Sequence, residues 1–538
     1  MHRHELNPRS EKCSHLLLRV DIIMLHVLVC TGLLLIFTVV LILYWKLVRP
    51  AKFIYDVLRQ QGVKSEPFVP IFGQLSAIRQ HREQGRLLDY HEKLAEKHGL
   101  RYLIGLGPYP RLVVLEPELI ADIVGRTHAH NYVKPADLSF RLKPIIGIHN
   151  LLVSNGLEHE RARKMLNPAF HFVNLQSMVT IMTDRTTKAI DTLLASVSSD
   201  SPSLDLQPQM NALTLSIIAS SAFGRSFETI SNAKDIVAHA FTEVLAAIAY
   251  RFTRMIDNMP LVSRLPFWRK AIIDRGSRDL SQFVEQIVED RRQGRSESLC
   301  AGEDLLDLLL SAVDSEGQSF TNEEIKDQTL TFILAGHETT SNLMLWTLYI
   351  LMTHPAVYQA CQDEVDRVLP DQTVPTSELL ATLPTIEAVL QETLRLYPPA
   401  PFFVRQCTKD QTIGSATDRP LTIPVGTTVL INTYLIHRRA EYWPRPLEFD
   451  YTRWVRDPVT GLKPKLAHPC CYLPFAAGPR NCIGQNFALL EAKVMLAMLI
   501  QRCHFEIEPG QSIVPEIRLT MKPKHGLFAR ISPRQASN

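Results

Sequence analysis

One stretch limits the possible folds more than any other: "TNEEIKDQTLTFILAGHETTSNLMLWTLYILMTHP", Thr321 to Pro355. Thr321 can serve as N-cap, Glu324 three residues later completes a capping box, and Phe320 with Ile325 supplies a hydrophobic staple. Pro355 ends the run. The spacing predicts a helix of about thirty residues, apolar on nearly every face from Leu330 to Met352. A helix apolar all round is buried. Yet its middle reads "AGHETTS", a helix-weakening glycine followed by consecutive polar residues. Burying those groups without partners is costly, so they must meet something polar inside the protein.

The surrounding chain fits a large body around such a helix. From about Pro117 to Leu396 apolar residues recur at threes and fours, the helical pattern. Strand character lies toward the two ends of this body. "RYLIGLG" and "RLVVL" predict a hairpin of Arg101–Leu106 with Arg111–Leu115, and "RPLTIPVGTTVLINTYLI" is also strand-like. The expected fold is mainly α with a smaller β region (α+β). No internal repeat or low-complexity tract is visible. A net charge of +3 gives no reason to expect a nucleic-acid partner. Nine scattered cysteines suit reduced thiols in a cytosol-facing domain better than a disulfide framework.

The N-terminus departs from this composition. Residues 22–45 contain no Lys, Arg, Asp or Glu and would span about 36 Å as a helix. A cleaved signal peptide is the alternative, but its apolar region would be about 7–15 residues with a small-residue site after it. "YWKLVRPAKF" follows instead, with interface aromatics and then positive charge. The expected organisation is therefore an extension (1–21), a single-pass N-terminal transmembrane helix (22–45), a basic linker (46–64) and one large domain (65–538). Met24 is an alternative first residue. Four basic residues precede the span and four follow within a similar distance, so charge alone leaves its orientation open.

Among the cysteines, Cys482 has the most specific surroundings: "LPFAAGPRNCIGQNFALLEAK", where an apolar helix begins. A thiolate near a helix N-terminus is stabilised by the dipole and by free backbone N–H groups. Gly484 would let backbone approach a flat ligand closely, and Arg480 could pair with an anionic group on it. A buried cysteine at a turn is the ordinary alternative. Phe475, Gly478, Arg480, Cys482 and Gly484 together form F-x-x-G-x-R-x-C-x-G. This segment resembles the haem-binding loop of the cytochrome P-450 superfamily, the haem-thiolate monooxygenases.

Other stretches carry the same resemblance. "AGHETT" resembles the helix that crosses the oxygen side of the haem. Glu392 and Arg395 in "QETLRLYPPAPFF" match the family's E-x-x-R pair; spaced three apart on a helix, they can form a bidentate ion pair. Arg453 stands where the family places a second arginine against that glutamate. "NGLEHERARKMLNPAF" resembles the helix whose arginine, here Arg163, reaches a haem propionate. His159 replaces the usual tryptophan four residues earlier, and Arg405 follows the E-x-x-R helix as a further expected cofactor ligand. "YTRW" keeps only the arginine of the usual Pro-Glu-Arg-Phe segment. Where one branch of the family attaches haem covalently through a glutamate, this chain has Ala335.

The resemblance implies a microsomal, membrane-anchored monooxygenase holding haem b non-covalently. Cys482 would be the axial ligand, favouring O–O cleavage. Glu338 and Thr339 would relay protons, and Gly336 would let the helix open locally to accept water or O2. His337 is expected to pack, not to bind iron. Glu392, Arg395 and Arg453 would brace the cysteine loop. The "GLGPYP" stretch lacks a following dinucleotide-binding helix, so a separate NADPH-dependent reductase is implied, with cytochrome b5 as a second donor. Arg161, Arg163 and Lys164 form a basic cluster that could face such an acidic partner. Three stretches, about 132–150, "AFTEVLAAIAYRF" and "PPAPFFV" with Phe402 and Phe403, would line a pocket for a hydrophobic substrate, a lipid or a xenobiotic. The implied location is the endoplasmic reticulum membrane, with the catalytic domain in the cytosol. Two other readings are a haem-thiolate isomerase or dehydratase, which typically alters the Glu338–Thr339 positions, and a non-catalytic haem carrier.

Overall fold

The long helix forms as its caps require. It spans Asn322–Thr353, with both hydrogen bonds of the Thr321–Glu324 capping box made, and Phe320 and Ile325 are buried beside them. The computed structural model describes residues 8–196, 203–224, 233–252, 254, 256, 260–300, 302–414, 419–457 and 459–534. The central helix is buried along most of its length, packed against helices Leu206–Phe223, Lys270–Arg292, Pro384–Leu396 and Gln485–Arg502.

Gly336 has a packing use beside the one expected. The helix runs unbroken through it. A Cβ at Gly336 would come within 2.8 Å of the Ile218 side chain, so the glycine lets Leu206–Phe223 lie close. Thr214 of that helix also donates to the His337 carbonyl at 3.0 Å, which holds the two backbones together.

A six-stranded sheet forms the second layer. Its order is Lys64–Ser65, Arg101–Leu106, Tyr109–Val114, Thr428–Asn432, Phe402–Cys407 and Tyr132–Val133. The hairpin pairs Arg101 with Val114. Its second strand begins two residues earlier than the sequence pattern suggested. Gly107, at φ +68°, and Pro108 suffice for the turn, which leaves Tyr109 and Pro110 free to pair. Strand Thr428–Asn432 runs parallel to one neighbour and antiparallel to the other, joining the two ends of the chain in one sheet. One core lies among the helices and a second behind this sheet.

The N-terminal helix Pro8–Leu43 passes through a π turn at Tyr44–Val48 into Arg49–Gln60. Of the expected extension, residues 1–7 lie outside the described residues. From Met24 to Trp45 every side chain is exposed, and this helix is long and apolar enough to cross a membrane. The Arg49 guanidinium sits 4.4 Å from the Trp45 ring centre. The stretch expected as a basic linker is not a free tether. Ala51, Ile54, Tyr55 and Leu58 recur on one helical face and are buried, three of them in the sheet-side core. The apolar N-terminal helix therefore enters the domain through a packed helix.

Candidate active site

The cysteine loop is shaped by two residues with positive φ, Ala476 (+55°) and Gly478 (+72°). A Cβ at Gly478 would overlap the Val124 carbonyl at 1.8 Å, so only glycine fits there. The Cys482 N–H returns to the Phe475 carbonyl at 2.9 Å and closes the loop. Phe475 anchors it against the helical core. Helix Gln485–Arg502 starts three residues after Cys482. The thiol is accessible to solvent, yet burial raises its pKa while the Gly484 N–H and the Arg163 charge lower it. Accessibility amid surrounding protein describes a residue lining an internal hollow. Gly484 itself has an ordinary φ, and only Phe170, at 3.8 Å, would come near a Cβ there. Protein packing does not demand glycine at 484, whereas close approach of a flat ligand would.

Behind the loop lies a buried brace. Arg395 and Glu392 are both wholly buried. Arg395 uses all five N–H groups: two on Glu392 at 2.8 and 2.9 Å, and three on the carbonyls of His437, Pro446 and Glu448. Glu392 also accepts from Arg453 Nε at 3.3 Å, the Asp450 N–H at 3.0 Å and Trp454 Nε1 at 2.8 Å. Sequence reasoning missed Trp454, treating it only as a departure from a motif. It also missed His437. A backbone N–H can only donate, so His437 Nε2 accepts from Leu473 N at 2.8 Å and Nδ1–H donates to the Arg395 carbonyl at 3.1 Å. That imidazole ties the E-x-x-R helix to the first residue of the cysteine loop. Burial drops its pKa to about 3.

In front of the loop the chemistry is different. Arg405, Arg480 and Lys134 gather around His159 and repel one another. Burial and Arg480 lower Arg405 to about 10, and burial and Arg163 lower Arg480 to about 10. Burial, then Arg405 and Arg480, hold Lys134 well below its ordinary value. Burial and all four cations push His159 to about 3. Among the described residues no carboxylate pairs with Lys134, Arg405 or Arg480. Arg480 reaches only the Asn155 side chain, at 2.9 Å, and its Nη1 is buried without a partner. A buried cluster of this kind fits a ligand carrying two carboxylates, as haem does. Lys134 was not singled out in the sequence because it sits in no motif.

Two expected roles change. Arg163 is committed to the loop: it donates to the Asn481 carbonyl at 2.7 Å and to the Asn481 side chain at 2.8 Å. Asn481 immediately precedes Cys482, so Arg163 fixes the thiol's position and adds its charge. Arg161 is not a free surface cation. It pairs with Asp314 at 2.6 Å and Glu324 at 2.8 Å, and donates to the carbonyls of Gln318 and Ser319. Of that basic cluster, only Lys164 is fully exposed.

On the central helix, Ala335 is exposed within an otherwise buried stretch, and Gly336, Glu338 and Thr339 are half-buried. The Thr339 hydroxyl donates to the Ala335 carbonyl at 2.7 Å. His337 faces the other way, buried, with Nδ1 on the Ile333 carbonyl at 2.7 Å and its ring beside Phe241. Phe241 belongs to the "AFTEVLAAIAYRF" stretch. Phe332 meets Phe170 with ring centres 5.5 Å apart, and Phe170 borders Gly484, so aromatic packing joins the central helix to the cysteine loop. Residues 147–149 are held to the same helix, because Asp327 accepts the N–H groups of Ile148 and His149 at 2.9 Å.

An accessible thiol on a braced loop, beside a cluster of unpaired cations, under a buried helix with a polar interruption, is the arrangement of a haem-thiolate protein. The cytochrome P-450 family model matches residues 63–529. A cytokinin hydroxylase of Arabidopsis thaliana is 31% identical over 515 residues, covering 91% of this chain and 94% of that protein. Human cytochrome P-450 4F12 is 31% identical over 456 residues, covering 81% and 83%. The crystal structure of a cytochrome P450DA haem domain superimposes with a TM-score of 0.70 at 25% identity, over 88% of this chain and 98% of that one. The chain belongs to the cytochrome P-450 family. It is an oxidoreductase of the monooxygenase class, and the family's cofactor is haem iron with a cysteine thiolate ligand.

Proposed function

We propose that this chain is a membrane-anchored monooxygenase in which Cys482 would hold a non-covalent haem b through its thiolate, acting on a hydrophobic lipid or xenobiotic. The observation that carries this reading is the cluster of buried Arg405 and half-buried Lys134 and Arg480, with no carboxylate paired to it among the described residues, next to an accessible Cys482. Haem, when bound, supplies O2 activation and oxygen insertion. The chain's residues supply the rest. Lys134, Arg405 and Arg480 would bind the two propionates. Gly484 N–H and Arg163 would favour the thiolate form of Cys482. Glu338 and Thr339, on the accessible face of the central helix, would hold and pass protons through the Glu338 carboxyl and the Thr339 hydroxyl. Phe402 and Phe403 are suited to an apolar substrate and to excluding water.

Electrons would come from a separate NADPH-dependent flavoprotein reductase, with cytochrome b5 as a second donor. In support, "GLGPYP" forms the turn of a β-hairpin and no dinucleotide-binding helix follows it. The exposed apolar helix and its Trp45–Arg49 contact favour a single-pass membrane anchor, and the human relative fits an endoplasmic reticulum location with the domain in the cytosol. The direct test is the carbon-monoxide difference spectrum of the reduced full chain beside Cys482→Ser. A strongly red-shifted Soret band lost in the variant is expected. Its absence from folded, haem-supplied wild type would overturn Cys482 as ligand.

A further inference from the structure

The C-terminal hairpin Pro515–Ile517/Met521–Pro523 lies far from every motif considered above, yet it touches the central helix at the residue assigned to proton transfer. Glu338, Asn342 and Trp346 are spaced four apart and form one stripe of that helix. All three meet the hairpin. Trp346 Nε1 donates to the Met521 carbonyl at 3.1 Å. Asn342 Nδ2 donates to Thr520 Oγ1 at 2.9 Å and to the Glu338 carbonyl at 2.9 Å. Thr520 Oγ1 lies 2.7 Å from Glu338 Oε1.

The donors can be ordered by chemistry alone. A backbone carbonyl only accepts, so the Asn342 amide nitrogen must be the end that faces Glu338 O and Thr520. The Thr520 oxygen therefore accepts from Asn342, and its own proton points to the Glu338 carboxyl. Thr520 is nearly buried, so water does not readily replace this bond. Glu338 is held by a directed donor from a separate element, with the Lys522 ammonium of the same hairpin adding favourable charge.

We propose that Thr520 is a positioning residue for the reaction, fixing the Glu338 carboxyl in the one conformation from which it serves the proton relay; this rests on the relay role given to Glu338 above. The hairpin thereby controls how reliably protons arrive, although it contributes no group to the cofactor.

The test uses the full chain loaded with haem and driven by the flavoprotein reductase and NADPH, without added substrate. Electrons then leave as hydrogen peroxide, one NADPH each, or as water, two NADPH per O2, and the split reports proton supply. Thr520→Val is expected to raise the peroxide share about threefold, the scale of one net hydrogen bond, with the reduced carbon-monoxide spectrum unchanged and the thermal midpoint lowered, since Asn342 loses a buried acceptor. Thr520→Ser is expected to restore the wild-type split, and Thr520→Val is expected to add nothing in a Glu338→Gln background. A wild-type split in Thr520→Val beside a raised peroxide share in Glu338→Gln would overturn the role of Thr520 alone. A wild-type split in Glu338→Gln would overturn the relay reading and this inference with it. If valine prevents haem loading, Thr520→Ala takes its place under the same outcomes. A serine variant as leaky as valine would also overturn the proposal, since its hydroxyl is present.

Discussion

The two sides of the cysteine loop bury similar groups and treat them in opposite ways. Behind it, Arg395 and Glu392 make eight hydrogen bonds, two to each other and six to other protein groups, and no donor of Arg395 is left over. In front of it, Arg480 keeps a buried nitrogen without any partner, and Lys134, Arg405 and His159 face only like charge. A fully paired buried network serves the fold itself. A buried cluster of unpaired cations is costly to the chain that carries it, so it is built for something that arrives later. Comparing the two separates structural arginines from cofactor arginines without reference to any motif.

The largest expected effect falls on the paired side. Arg395→Ala leaves Glu392 buried with a weakened set of donors and frees three carbonyls, a loss of about 3–5 kcal/mol. Haem-to-protein ratio and thermal midpoint of the full chain should both collapse, and normal haem content would sink the brace. The unpaired side should respond with opposite signs. Lys134→Met removes a charge that nothing in the chain compensates, so the haem-free protein should gain about 1 kcal/mol. Haem retention, followed by transfer to a haem scavenger, should weaken about tenfold through loss of one charge-assisted bond. A parallel loss of both quantities would show that Lys134 belongs to the brace. Trp454→Phe comes next. It removes one hydrogen bond to a charged acceptor while keeping ring packing against Trp443 and Tyr472, and should cost about 1.5–3 kcal/mol, less than Arg395→Ala.

Much of this was legible in the chain because it depends on local spacing. The capping box at Thr321–Glu324, the three-residue step from Glu392 to Arg395 and the loop around Cys482 are patterns that a helix or a turn enforces on its neighbours. What escaped depends on residues brought together from distant segments. Trp454, His437 and Thr520 act through partners 36 to 182 positions away, His437 on Leu473, Trp454 on Glu392 and Thr520 on Glu338, and Lys134 meets Arg405 and Arg480 from a separate element. No periodicity announces such a contact. Gly336 shows the converse: a glycine inside a polar motif suggests an opening helix, while its close packing on Ile218 comes from a distant segment and is not legible in the motif. In the basic linker after the apolar helix the charges are conspicuous, and the buried stripe Ala51, Ile54, Tyr55 and Leu58 is too short to stand out in the sequence.

The smallest expected effect sharpens the comparison most. His437 and His159 both have folded pKa values of about 3, against an ordinary value near 6.5. For a group whose pKa is depressed on folding, stability is fully present above the unfolded value and is lost as pH falls toward the folded one. Each histidine should therefore cost the haem-free chain about 0.8 kcal/mol at pH 6, and more as pH falls further. The causes differ. Burial first, then the charges of Arg395 and Arg438, keep His437 neutral, and the proposed ligand lies on the other side of the loop. His159 is buried too, but four cations add to its depression, and a bound dicarboxylate would offset their charge and raise its pKa. His437→Asn should then flatten the acid side of the stability profile with or without haem, whereas His159→Asn should flatten it in the haem-free chain and much less in the loaded one. Thermal midpoints between pH 7 and pH 5 for both variants, each with and without haem, measure this directly. Equal behaviour of the two variants in both states would mean that the cations around His159 do not face the cofactor's carboxylates.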